Sequence, residues 1–75
     1  MVIVEARYGF GGSTFDVKER IKARISGGTI SLFIDNESMG GDPAPTFSKS
    51  VFVRYTYDGV ENTKTVGEFN TLSLP

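Results

Sequence analysis

A chain of 75 residues has room for one domain and one modest core, because a fold this small buries only about 60% of the surface its unfolded chain exposes. With no cysteine and no histidine it lacks disulfide frameworks, thiolate nucleophiles, imidazole acid–base chemistry and the usual zinc or copper ligand sets, so neither catalysis nor a cofactor is expected. A formal charge of −1, from 8 basic and 9 acidic side chains, gives no general attraction to phosphate backbones, and no run approaches the ~20 apolar residues of a membrane span.

Nucleic acid and membrane insertion are therefore not expected. Glu5 interrupts the N-terminal apolar run too early for a signal-peptide core, and a cytoplasmic setting is the default expectation. Without disulfides or metal, stability has to come from apolar burial and sheet pairing, or from association with another chain or copy.

The first segment, Val2 to Tyr8, predicts a strand with Val2, Val4, Ala6 and Tyr8 on one side and Glu5 and Arg7 on the other. Gly9-Phe10-Gly11-Gly12-Ser13 should break it, since glycine supplies the positive φ angles that loops use. From Asp16 to Ile25, the spacing of Val17, Ile21 and Ile25 suits a helix as well as a strand. The flanks favour a short helix over residues 17–25, because Asp16 and Glu19 resemble a capping pair and Gly27-Gly28 can end it.

Thr29 to Asp35 alternates with Ile30, Leu32 and Ile34 inward, the pattern of a second strand. Asn36 to Ser48 has no periodicity and is rich in Gly and Pro, which predicts one long irregular loop. Lys49–Tyr57 and Val60–Val66 flank Asp58-Gly59, a strong type I′ hairpin signal. A two-residue loop pairs Tyr57 with Val60, Tyr55 with Asn62, Val53 with Lys64 and Val51 with Val66. After a turn at residues 67–71, Leu72-Ser73-Leu74 adds a short last strand. The architecture expected for residues 1–75 is a small, mainly β domain, an antiparallel β-sandwich or partly open barrel of about five strands with one short helix.

Ala6-Arg7-Tyr8-Gly9, Asp16-Val17, Asp42-Pro43, Lys49, Val53-Arg54-Tyr55 and the closing Leu72-Ser73-Leu74-Pro75 together form a pattern of spaced single residues over nearly the whole chain. In that pattern the chain resembles the C-terminal domain of unknown function of certain J-domain co-chaperones, and short bacterial and fungal proteins that share it. The resemblance implies a β-rich accessory domain without enzymatic activity, attached in some members to proteins of mitochondrial membrane organisation. No His-Pro-Asp occurs, so the J-domain itself is absent. Lys18 stands where the pattern has Thr, and Thr46 where Gly follows Asp-Pro-x-Pro, so the loop geometry of the family does not carry over.

The long loop offers Asn36, Glu37, Gly40, Gly41, Asp42, Pro43 and Phe47 as a candidate binding surface. Asp35, Glu37 and Asp42 are oxygen ligands of the kind calcium takes, but they lack EF-hand spacing, and no metal site is expected. Gly40-Gly41-Asp42 also lacks the Lys-Ser/Thr of a phosphate-binding loop. Tyr8, Tyr55 and Tyr57, near Asn36 or Asn62, are candidates for stacking on a sugar ring, against the plainer reading that such rings fill the interior of a small sheet. Lys18, Arg20, Lys22 and Arg24 form the one basic cluster, read as a solvated helix surface.

No Ser or Thr has a histidine to activate it. The expected role is thus a non-catalytic protein-interaction or assembly module, with a small lectin-like carbohydrate-binding domain as the alternative. A protein partner or self-association is expected, with the first strand, Val2 to Tyr8, and the last, Leu72 to Leu74, as the exposed edges.

Overall fold

A computed structural model describes residues 1–75. Its strands are β1 (Val2–Phe10), β2 (Ser13–Asp16), β3 (Ile30–Phe33), β4 (Ser50–Tyr57), β5 (Val60–Gly67) and β6 (Thr71–Leu74), with helices α1 (Lys18–Lys22) and α2 (Asn36–Met39). They build an antiparallel four-stranded sheet in the order β2-β1-β4-β5 and a two-stranded sheet of β3 and β6. The sheets do not close into a barrel. Of the two expected shapes, sandwich and partly open barrel, the one found is the first in kind, two separate antiparallel sheets, with six strands where about five were expected and two helices where one was.

Alternation determines what lies between the sheets. Val51, Val53 and Tyr55 of β4 and Val66 of β5 point inward to meet Ile30, Leu32 and Ile34 and, from β6, Leu72 and Leu74. Val17 and Ile21 of the α1 region and Met39 of α2 complete a single core of 15 buried residues. The β4–β5 hairpin has the register that Asp58-Gly59 predicts, from Tyr57 opposite Val60 to Val51 opposite Val66. Asp58 and Gly59 both have positive φ, 52° and 76°, as a type I′ turn demands.

Four local expectations need correction. In β1 the register shifts between Ile3 and Glu5, so Ile3, Ala6 and Tyr8 face the core while Val2 and Val4 are exposed. A bulge inserts one residue and thereby inverts the alternation beyond it. Gly9 does not end the strand: β1 runs on to Phe10, turns at Gly11-Gly12 and returns as β2. Gly9 adopts φ 154°, and a Cβ there would collide with the backbone of Ser13 and Thr14, which explains why only glycine fits this crossing.

The first helix is shorter than expected. Asp16 accepts from the N–H of Lys18 at 2.8 Å, Val17 occupies the cap position without a side-chain cap, and Gly27-Gly28 forms the tight turn between the bridged residues Ser26 and Thr29. Its apolar periodicity still holds, with Val17 and Ile21 buried and Ile25 partly buried. Finally, the expected irregular run from Asn36 contains α2. Asp35 accepts from the N–H of Ser38 at 2.7 Å and Ser38 Oγ accepts from that of Asp35 at 3.1 Å, a reciprocal capping box, and Gly40 at φ 93° ends the helix.

The edges differ as well. β1 lies between β2 and β4 and is not an edge of its sheet. The free borders of that sheet are the short β2 and the eight-residue β5.

Candidate functional site

One buried amine holds the segment after α2 in place. The Lys49 side chain is 3% exposed, and its Nζ lies 3.1 Å from Asp42 Oδ1 and 3.4 Å from Glu68 Oε1. It also donates to the carbonyl oxygens of Phe47 at 2.8 Å and Ala44 at 3.3 Å. Along the backbone the Lys49 N–H donates to Glu68 Oε1, and the Glu68 N–H donates to the Lys49 carbonyl at 2.8 Å. Residues 42–47 are thus tied through one ammonium to the turn between β5 and β6.

Burial alone would lower the pKa of this amine. The hydrogen bond and charge of Asp42, then those of Glu68, outweigh that and hold Lys49 above its ordinary value. Beside it, Tyr8 is fully buried and its hydroxyl donates to Asn36 Oδ1 at 2.8 Å, pinning the start of α2 to β1. Burial, followed by the charges of Glu68, Asp42 and Asp35, pushes the phenol up to about 12. Lys49 therefore stays an ammonium and Tyr8 a neutral phenol, so neither is poised to take a proton at neutral pH.

Above this cluster lies an aromatic surface. Phe10, at the end of β1, stacks on Phe47 with ring centroids 4.8 Å apart and planes 8° from parallel. Phe33, at the end of β3, meets Phe69 of the β5–β6 turn at 6.4 Å. Strand pairing puts both pairs at one end of the sheets, where Gly9 lies opposite Ser50, Ser50 opposite Gly67, and Phe33 opposite Thr71. Phe47 is 56% exposed and Phe69 is 68% exposed.

The candidate loop residues are brought together only in part. Phe47 lies on the surface, Asp42 pairs with Lys49, and Asp42 Oδ1 also accepts from the N–H of Ala44 at 3.2 Å in a turn that Asp42-Pro43 begins. Asn36 is taken up by Tyr8, and its carbonyl accepts from the N–H groups of Gly40 and Gly41 to close α2. Glu37 is exposed. The tyrosine platform requires correction: Tyr8 and Tyr55 are core residues, and Tyr57 alone is exposed, near the tip of the β4–β5 hairpin. These rings pack between sheets because their positions share the inward parity of Ala6 and Val53.

Lys49, Glu68, Phe10, Phe33 and Phe69 are absent from the site read off the sequence. For Phe33 a signal existed, since inward Ile30, Leu32 and Ile34 leave Phe33 outward. Burial of Lys49 depends on Glu68, 19 positions away, and no local pattern announces it. No group of three or more acidic side chains is arranged to hold a metal ion, and no helix is long and apolar enough to cross a membrane. No protein-family model, no curated protein and no solved structure matches this chain.

Proposed function

We propose that the chain is a non-catalytic protein-interaction module whose contact surface is the aromatic end, with Phe10 and Phe47 at its centre. One observation carries this reading: four of the six phenylalanines, Phe10, Phe33, Phe47 and Phe69, are exposed at this one end, while the core is built from Ile, Val, Leu, Met, Tyr and Ala. Burying the exposed part of one such ring is worth about half the roughly 1.5–3 kcal/mol of a full burial, so these positions have most to gain from a partner. Aromatic anchors of this kind dominate protein contacts when they are held rigid beforehand. The Lys49 clamp supplies that rigidity, because it fixes the two carbonyls flanking Pro45 and Thr46 and so the base of Phe47. The resemblance to the accessory domain of J-domain co-chaperones points the same way.

The test compares the wild type with a Phe10→Ala/Phe47→Ala variant in affinity capture from cells, followed by binding of each purified candidate. A partner that binds the wild type directly and loses most of its affinity for the variant is the expected result. Partners that bind both proteins equally would exclude this surface. Glycan-array binding competed by free sugar would favour the carbohydrate alternative instead.

A further inference from the structure

Two unpartnered surfaces are fixed at opposite ends of β1. At its end stands the Phe10–Phe47 pair. Near its start, Met1, Val2, Ile3 and Ile25, with Lys18 and Lys22, line an open groove of about 460 Å³ between β1 and α1. A nine-residue strand separates them by about 26 Å at ~3.3 Å per residue, in a molecule 37 Å long.

The two surfaces are complementary in charge and in polarity. The groove has apolar walls and a basic rim: Lys18 has no acidic partner, and Lys22 has only the exposed Glu19 at 3.5 Å. The neighbouring Arg20 is occupied elsewhere, its guanidinium lying against Gly40. At the aromatic end the sign reverses, because Asp35, Asp42 and Glu68 gather around Tyr8 and the single ammonium of Lys49 and outnumber the cations there even with the Arg20 guanidinium beside Gly40.

We propose that the aromatic end of one copy docks into the groove of a second copy, Phe47 entering between β1 and α1 while Glu37 and Asp42 meet Lys18 and Lys22. This rests on the interaction-module reading above and names the partner. Because one rigid strand carries both surfaces, a chain cannot satisfy itself, and the contact is head-to-tail. Such a contact is heterologous, so it propagates into chains or closes into rings. Strand pairing at the free edge of β5 is the less favoured route, since Glu61 and Lys64 place exposed charges along it.

Two variants, each blocking one surface, decide the matter. Phe47→Ala with Glu37→Lys removes the aromatic head, and Lys18→Glu with Lys22→Glu reverses the groove rim. None of these side chains is in the core, and melting curves verify that both variants fold. If either double variant melts below the wild type, Phe47→Ala and Lys22→Glu singly replace it.

In sedimentation velocity over a wide concentration range, the wild type should grow beyond a dimer, and added salt should weaken that growth. Each variant alone should stay monomeric. Mixed one to one, they should form a dimer and nothing larger, since one intact head meets one intact groove. A mixture that stays monomeric, or a wild type that stops at a dimer, would overturn the contact. A monomeric wild type would also overturn it; if that protein still loses a partner through Phe10→Ala/Phe47→Ala, only the head-to-tail contact fails, and if it loses none, the interaction surface fails too.

Discussion

Replacing Gly9 with alanine should open the β1–β2 hairpin and displace Phe10 from Phe47. At φ 154° the new Cβ would lie 2.7 Å from Thr14 Cα and 2.9 Å from the Ser13 carbonyl carbon, closer still to the Ser13 oxygen. These are backbone atoms of the paired strand, and no side-chain rotation relieves them. Overpacking costs roughly 1–3 kcal/mol, and an unfavourable φ for a residue with a Cβ adds about 1–3 kcal/mol. The sum is about 2–6 kcal/mol, against roughly 4–11 kcal/mol of total stability for a domain of this size. Thermal and urea unfolding followed by circular dichroism would read this as a fall in Tm of about 10 °C or more, at about 4–8 °C per kcal/mol. Gly12→Ala, where an added Cβ meets nothing within 4 Å, serves as the control and should melt close to the wild type. A Gly9→Ala protein that also melts within a degree or two of the wild type would refute the crossing geometry.

Gly59→Val should destabilise the β4–β5 hairpin by about 1 kcal/mol or more, because a β-branched side chain resists the φ of 76° there, and an unchanged urea midpoint would reject the turn type. Tyr8→Phe removes the donor to Asn36 at a buried site and should cost about 1 kcal/mol by the same assay. Since the folded phenol titrates near 12 against 10 unfolded, Tyr8 contributes stability that is fully present below pH 10 and lost as pH rises towards 12. Melting curves at stepped alkaline pH should show that loss, and Tyr8→Phe should blunt it. Lys49→Met leaves Asp42 and the nearly buried Glu68 without their cation, so melting should fall and limited proteolysis should cut within residues 42–48. Equal protease resistance in the variant would show that the clamp does not hold the loop. The amine's raised pKa has the same alkaline sign as that of Tyr8, its stabilisation being present below the ordinary lysine value and lost above it.

Much of the sheet structure could be read where the signal was local. Asp58-Gly59 sets the β4–β5 register, and the alternation of Ile30, Leu32 and Ile34 identifies β3 and its buried face. What escaped was decided by contacts distant in sequence or by unusual local chemistry. β2 follows a Gly-Gly turn that reads equally well as a break, and its four residues carry no clear alternation. The bulge after Ile3 leaves no mark in the apolar pattern of β1. In α2 the capping partner is Ser38, where a capping box ordinarily has Glu or Gln, so a one-turn helix reads as loop.

The candidate site divided along the same line. The loop was recognised as a surface and Phe47 as one of its residues, and of the rings weighed for stacking on a sugar, Tyr8 and Tyr55 follow the plainer reading and fill the core. Inward parity with Ala6 and with Val53 assigns them there. The Lys49–Asp42–Glu68 cluster joins three separate segments and becomes visible only when β4, β5 and the loop are assembled.

The central assignment is the aromatic end as a binding surface, and calorimetric titration of a purified partner, run in parallel with wild type and Phe47→Ala, tests it most directly. The expected result is a negative heat-capacity change for the wild type, from burial of apolar rings, and at least a tenfold weaker Kd for the variant at an unchanged Tm. Equal affinity in the two proteins, with both folded, would contradict the assignment.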